Sequence, residues 1–255
     1  MKTEEIKIDA YTVNIAYDQG AENPFEAWDC EPPMLAYYDS GRHGVKAYND
    51  APDSWREILW LLPDSIFQRK SRVAFLRRFL PSVSPREYVH ALRDNDGSDF
   101  EAFVHLLCEV HGEKPYGWSD ARAWLEHAAA ILEYGGIPCH CTQSHGYCQG
   151  DSTPLLAVGL PAWAEKVGAP AEAIPAQLVN ACELHGQWQW GDVYGVESIT
   201  DENGAAIPHG SCWGFYGSDH EKSGLLGHAR EAIRAHEAHN ARQAEHFTAA
   251  LCSAE

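Results

Sequence analysis

The chain has 255 residues, 45% of them apolar and 22% charged, a composition that can bury a substantial core and lies far from that of disordered chains. Thirty-seven acids against nineteen bases give a net charge of −18 before histidine is counted, which argues against direct binding of nucleic acid or anionic membrane, because both need cationic surface. No apolar run reaches the roughly 18 to 20 residues of a membrane span, and the start "MKTEEIKIDAY" lacks the apolar stretch of a signal peptide; the cytoplasm is the expected compartment.

In chain order, "IKIDAYTVNIAYD" is rich in β-branched and aromatic residues whose alternation shifts frame, and predicts one strand bent near Ala10. The turn-rich loop "DQGAENPFEAWDCEPP" separates it from a short second strand, "MLAYYD", closed by "SGRHG". From Ser54 the period becomes helical. Asp53 or Ser54 can cap "WREILWLL", and "DSIFQRKSRVAFLRRFL" follows with Ile66, Val73, Leu76 and Phe79 as its apolar stripe. "SPREYVHALRDN" is capped by Ser84, "SDFEAFVHLLCEVHG" ends at Gly112, and "SDARAWLEHAAAILEYGG" runs from a Ser119 cap to Gly135 and Gly136.

"IPCHCTQSHGYCQGDSTPLLAVGLP" predicts two strands around a Gly/Ser/Asp turn, and "AEAIPAQLVNACELHGQ" a helix interrupted early by Pro175. A hairpin then joins "GDVYGVESIT" to "AAIPHGSCWGFYG" through Asn203-Gly204, the preferred pair for a two-residue type I′ turn. Counting outward from that turn pairs Thr200 with Ile207, Val196 with Ser211 and Tyr194 with Trp213, and places Trp213 and Phe215 in the core. A long, mostly polar helix from about Glu221 to about Leu251 completes the series. The expected fold is α+β: an antiparallel sheet from both chain ends, an inserted helical block and a long C-terminal helix. Residues 1–53 supply the first strands and an acidic loop, 54–136 the helical insertion and 137–255 the remaining sheet, hairpin and terminal helix, within one compact domain.

Charge follows this division. Residues 1–53 hold eleven acids and four bases, 54–93 three acids and eight bases, and the remainder twenty-three acids and seven bases. The cationic exception, Arg69, Lys70, Arg72, Arg77 and Arg78, is expected to pair with the chain's own acids.

Two clusters could carry chemistry. "CHCTQSHGYC" places Cys139, Cys141, His145 and Cys148 within ten residues, and thiolates with imidazoles invite zinc. Their C-x-C spacing on a predicted strand instead favours buried thiols facing a core, with His145 in the turn. Acids at strand ends form the second cluster: Asp18, Glu22, Glu26, Asp29 and Glu31 in the first loop, with Asp151, Asp192 and Asp219. Convergent carboxylates of this kind hold hard cations, with Asp18, Glu22, Asp29, Asp151 and Asp219 as the candidate ligands; spread over a face, Glu22, Glu26, Asp29, Asp151, Asp192 and Asp219 would instead meet a basic partner. On the last helix, His228, His236, His239 and His246 suit a solvated face. No P-loop, G-x-G-x-x-G, G-x-S-x-G or H-E-x-x-H motif is present.

Four stretches in order, "YDQGAENPFEAWD", "SHGYCQGD", "GDVYGVES" and "SCWGFYGSD", resemble an uncharacterised family of proteins encoded by bacteriophages and other mobile elements. The resemblance covers roughly residues 11–39 and 137–219; His145 stands where that family has glutamine and Cys148 where serine is common. It implies, by analogy with other phage accessory proteins, an acidic counter-defence inhibitor of anti-CRISPR or antirestriction type, without a cofactor, whose partner is a host defence protein or complex with a basic surface. A divalent-metal-dependent enzyme and a phage accessory interaction protein are the alternatives.

Overall fold

The computed structural model describes residues 4–28, 30–38, 44–115, 118–145 and 152–252. Strands β1 (Glu4–Ile8) and β2 (Tyr11–Tyr17) come first, then the single turn α1 (Pro24–Ala27), β3 (Met34–Tyr38) and β4 (Gly44–Tyr48). Next are α2 (Trp55–Trp60), a 3₁₀ turn at Asp64–Phe67, α3 (Arg69–Phe79), α4 (Pro85–Asp94), α5 (Asp99–His111) and α6 (Trp118–Tyr134). The series ends with β5 (Cys139–His145), β6 (Ser152–Val158), α7 (Pro161–Val167), α8 (Ile174–Gln189), β7 (Val193–Thr200), β8 (Cys212–Tyr216) and α9 (Leu225–Cys252). The fold is α+β with antiparallel strand pairing and a long C-terminal helix. Its strands are divided between two sheets, ordered β1-β2-β7-β8 and β4-β3-β6-β5. The chain falls into two compact units, Met1–Asn23 with Gln187–Glu255, and Pro24–Gly186.

The first unit joins strands from both ends of the chain. What reads as one bent strand is a hairpin: Asp9 adopts φ 53°, Ile8 pairs with Tyr11, and the frame shift in the apolar pattern is the reversal of the chain. β2 pairs with β7 across a bulge at Asn14/Ile15. One face of the sheet carries Val13, Ile15, Tyr194, Val196 and Ile199, covered by Leu225, Leu226, Ala229 and Ile233 of α9. Beyond Ile233, α9 is exposed on nearly every face as far as residue 246.

The second hairpin differs from its expected register. Asn203 is not left-handed; only Gly204 is, at φ 80°, and the Asp201 carboxylate accepts the N–H groups of Asn203 and Ala205 at 2.9 and 2.8 Å. A longer aspartate-held turn therefore replaces the type I′ pair, and Thr200 bridges Ala206 instead of Ile207. Further along, Tyr194 pairs with Phe215 and Val196 with Cys212, with a bulge between the two pairs and Gly214 at φ 84°. This geometry turns Trp213 to the face opposite α9, where it is 45% exposed, so Trp213 is not core; Phe215 alone packs against the α9 side.

The second unit is a sheet between two helical layers. Leu35, Leu156 and Val158 face the block α2 to α6, whereas Met34, Ala36, Leu155 and Ala157 face α1, α7 and α8. Burial on both sides explains why "MLAYY" and "PLLAV" read as continuous apolar runs. Ser54, Ser84 and Ser98 cap α2, α4 and α5, and Ser84 forms a full capping box with Glu87. α6 begins at Trp118, so Ser119 lies inside its first turn rather than capping it. The expected stripe on α3 is corrected as well: Val73 is 43% exposed and Phe75 is fully buried. The helix restarts at Arg69 after the tighter 3₁₀ turn, which resets the phase set by Ile66. Neither β4 nor α7 has a counterpart in the sequence expectation.

Candidate functional site

The first unit gathers several of the expected acids at one end of its sheet. The Asp18 N–H donates to Val193 O at 2.9 Å, and the Gly217 N–H to Asp192 O at 2.8 Å, which ties the loop before β7 to the ends of β2 and β8. The Asp192 carboxylate accepts from the Tyr194 hydroxyl at 2.7 Å and from Ser218 N–H at 3.2 Å. Tyr216 donates its hydroxyl to Glu22 O at 2.9 Å, and burial together with the charges of Asp18 and Glu22 raises its pKa. Asp219 is exposed and accepts the N–H groups of Glu221 and Lys222 at 3.2 Å, opening the turn into α9.

Of the acids expected to meet a partner or hold a metal, Asp18, Glu22 and Asp192 thus come together, while Asp192 and Asp219 also hold backbone N–H groups. Glu26 belongs to the second unit, where it is exposed and ion-paired with Lys46. Asp29 and Asp151 lie outside the described residues.

The cysteine cluster divides by face. Cys139 and Cys141 of β5 pack against the core beneath α6, and burial raises their thiols to about 12 and about 11. Cys182 of α8 occupies the opposite core, donates to His140 O at 3.9 Å and is likewise raised by burial, to about 12. His145 is the last residue of β5, paired with Ser152, rather than part of the turn; Cys148 lies outside the described residues. Among the described residues, no group of three or more His, Cys, Asp and Glu side chains is placed to hold a metal ion.

On α9, His236 and His239 meet the side-chain amides of Asn240 and Gln243 at 2.9 and 3.0 Å. Of the basic stretch, Arg72 pairs with Asp99 at 2.7 Å and Arg78 lies over the Phe79 and Tyr134 rings, while Arg77 is exposed.

A second site, in the Pro24–Gly186 unit, draws on Glu31 of the expected acidic cluster and otherwise on residues the sequence did not single out as functional. Two grooves meet at Asp50 and Leu160. The larger, about 540 Å³, is lined by Asp50, Asp53, Glu57, Trp60 and Leu61. The smaller, about 280 Å³, is lined by Glu31, Asn49, Trp163 and Lys166. Helical periodicity buries Trp55, Ile58 and Leu59 and leaves Trp60 outward, 77% exposed, with its ring perpendicular to that of Phe100 at 5.9 Å between centroids. Asn49 and Asp50 are both left-handed, at φ 52° and 58°, a conformation these residue types tolerate. The Asn49 amide anchors that turn by donating to Glu31 O at 3.1 Å, and Trp163 donates to Cys30 O at 3.0 Å. Burial raises the Glu31 carboxyl above its ordinary range. An outward tryptophan on α2 is the one local signal that could have found this site.

Comparison of the chain with protein-family models, with curated proteins and with solved structures finds no match.

Proposed function

We propose that this protein is an acidic binding protein that covers a cationic, nucleic-acid-gripping surface of a host defence complex, as an inhibitor of anti-CRISPR or antirestriction type carried by a phage or other mobile element. The carrying observation is the distribution of charge. Met1–Asn23 with Gln187–Glu255 holds fifteen acids and six bases, and Pro24–Gly186 twenty-two acids and thirteen bases, so each unit carries −9. Several of these acids, including Glu22, Glu26, Asp50 and Asp219, are exposed on separate elements. A field of one sign over separate elements steers a basic partner and repels nucleic acid and anionic lipid. Among the described residues no helix is long and apolar enough to cross a membrane, and action in the host cytoplasm accords with this reading.

The test is capture of the partner from host lysate, followed by association kinetics against salt. Raising ionic strength from about 0.01 to 0.15 M shortens the Debye length from about 30 to 8 Å, and the on-rate is expected to fall about tenfold with little change in dissociation. An on-rate flat across that range overturns the reading. In that event, a divalent-cation-dependent activity would point to the enzyme, and its absence to an accessory interaction protein.

A further inference from the structure

We propose that the groove beside Trp60 seats an arginine or lysine side chain from an extended basic segment of a protein partner, and that the segment continues past Asp50 toward Glu31. This inference rests on the acidic-binder reading and names its contact site.

Three observations converge on that occupant. Trp60 presents its indole to solvent at 77% exposure on the wall of the larger groove, and an indole face is the best aromatic partner for a guanidinium or ammonium. Leu61 and Leu160 supply apolar lining for the aliphatic stem of such a side chain. The carboxylates of Asp50 and Glu57 line the same groove, and Asp50 also lines the adjoining one, so negative charge is continuous from Trp60 to Glu31.

The neighbouring cations leave this charge largely uncompensated. Arg56, on the same helix as Trp60, is held by Glu101 at 2.6 Å and lies over the Phe100 ring. Lys114 pairs with Asp53 at 2.7 Å, and Lys166 is the single base lining the smaller groove. Among the described residues the carboxylates of Glu31 and Asp50 have no hydrogen-bond or ion-pair partner. Glu31 is partly buried as well, so it carries a desolvation cost that a cation brought alongside would offset. A planar, multidentate arginine answers this arrangement better than a compact ammonium does.

The experiment uses the full chain with ¹⁵N-labelled tryptophan indoles and a nona-arginine peptide as probe, at low salt. Each of the nine tryptophans contributes one indole resonance, and Trp60→Phe assigns the relevant one. The expected result is a shift of the Trp60 resonance on titration. Affinity should drop about fivefold in Trp60→Ala and again in Asp50→Asn with Glu57→Gln, while a nona-lysine peptide binds more weakly. Because Trp60 is largely exposed, Trp60→Ala should keep the wild-type melting temperature, and Asp50→Asn alone serves as a second probe should it not. If the peptide binds while the Trp60 resonance stays still and the variants bind as wild type does, the groove is not the seat although the acidic-binder reading stands. If no cationic peptide binds at low salt, both fail.

Discussion

The Trp213 indole lies flat across Gly195 of the neighbouring strand: a β-carbon at 195 would overlap three of its ring carbons. Gly195 is itself buried, in part by this ring, although Trp213 remains 45% exposed. The pair explains why a glycine stands in the middle of β7, where an aromatic from the next strand needs close approach.

Two consequences follow for stability. Trp213→Ala should cost about 1 kcal/mol, well under the 3 to 5 expected of a fully buried tryptophan. Gly195→Ala should cost about 1 to 3 kcal/mol in the wild-type background by displacing the ring, and little in the Trp213→Ala background. Urea midpoints of the four proteins close this cycle. Additive losses would show that the ring does not rest on Gly195.

His185 makes the protein sensitive to acid. Its ring lies between Phe25 and Tyr48, at centroid distances of 5.5 and 5.6 Å, and burial followed by the Lys46 charge lowers its pKa from 6.5 to about 4. The unfolded chain therefore binds the proton more readily. Stability is full above pH 6.5 and falls as pH drops, by about 1.4 kcal/mol per unit toward pH 4, for a total of about 3 kcal/mol. Burial also lowers the pKa of His111, which adds to the same trend. Urea unfolding at pH 7 and pH 5 should show this slope, and His185→Gln should flatten most of it. An unchanged slope in that variant would place the acid sensitivity elsewhere.

Thiol reactivity should separate the cysteines by burial. With Cys139, Cys141 and Cys182 raised to about 12, 11 and 12, less than about one thiol in a thousand is ionised at pH 8. Exposed Cys30 should therefore be alkylated by iodoacetamide well before these three, as peptide mapping of a brief labelling pulse would report. Equal rates would mean that β5 opens. Elemental analysis of the purified protein is expected to find no zinc; one zinc per chain, lost in Cys139→Ser or Cys141→Ser, would contradict the core role of these thiols.

Asp99 is the third stability test. It opens α5, accepts from Arg72 at 2.7 Å and from the Tyr88 hydroxyl, and so ties α3, α4 and α5 together. Asp99→Asn should cost about 1 to 3 kcal/mol. Combination with Arg72→Met should cost less than the sum of the two single changes; strict additivity would reduce the ion pair to a surface contact.

How legible each element was in the sequence depended on how local its cause is. The caps at Ser54 and Ser84 are set by a hydroxyl and a backbone N–H three residues on, so they read directly. The strands β3, β5, β6 and β7 announced themselves by composition. Trp213 did not, because a bulge near Tyr194 and a left-handed Gly214 shift the pairing, and a one-residue slip exchanges the faces of a strand. Val73 and Phe75 changed places because a 3₁₀ turn upstream reset the helical phase. Among the acids, Asp18, Glu22 and Asp192 stand at one end of the first unit's sheet. Beyond the outward Trp60, the groove could not be assembled from the sequence: Leu160 is a hundred residues from Trp60 in the chain, and the pairing of β3 with β4 and β6 places its lining together.

The first sheet depends on strands made far apart in synthesis. β2 must wait for β7, about 180 residues later, while Pro24–Gly186 can already collapse around its own sheet. Closing so long a loop costs only slightly more entropy than closing a short one, so the penalty falls on time rather than on final stability. During that interval the hairpin of β1 and β2 offers an open β2 edge, with Val13, Ile15 and Ala16 still uncovered. A nascent chain stalled before residue 193 would therefore expose a sticky ribbon, and nearby Glu4, Glu5, Lys7 and Asp18 are the charges that keep ribbons from neighbouring ribosomes apart.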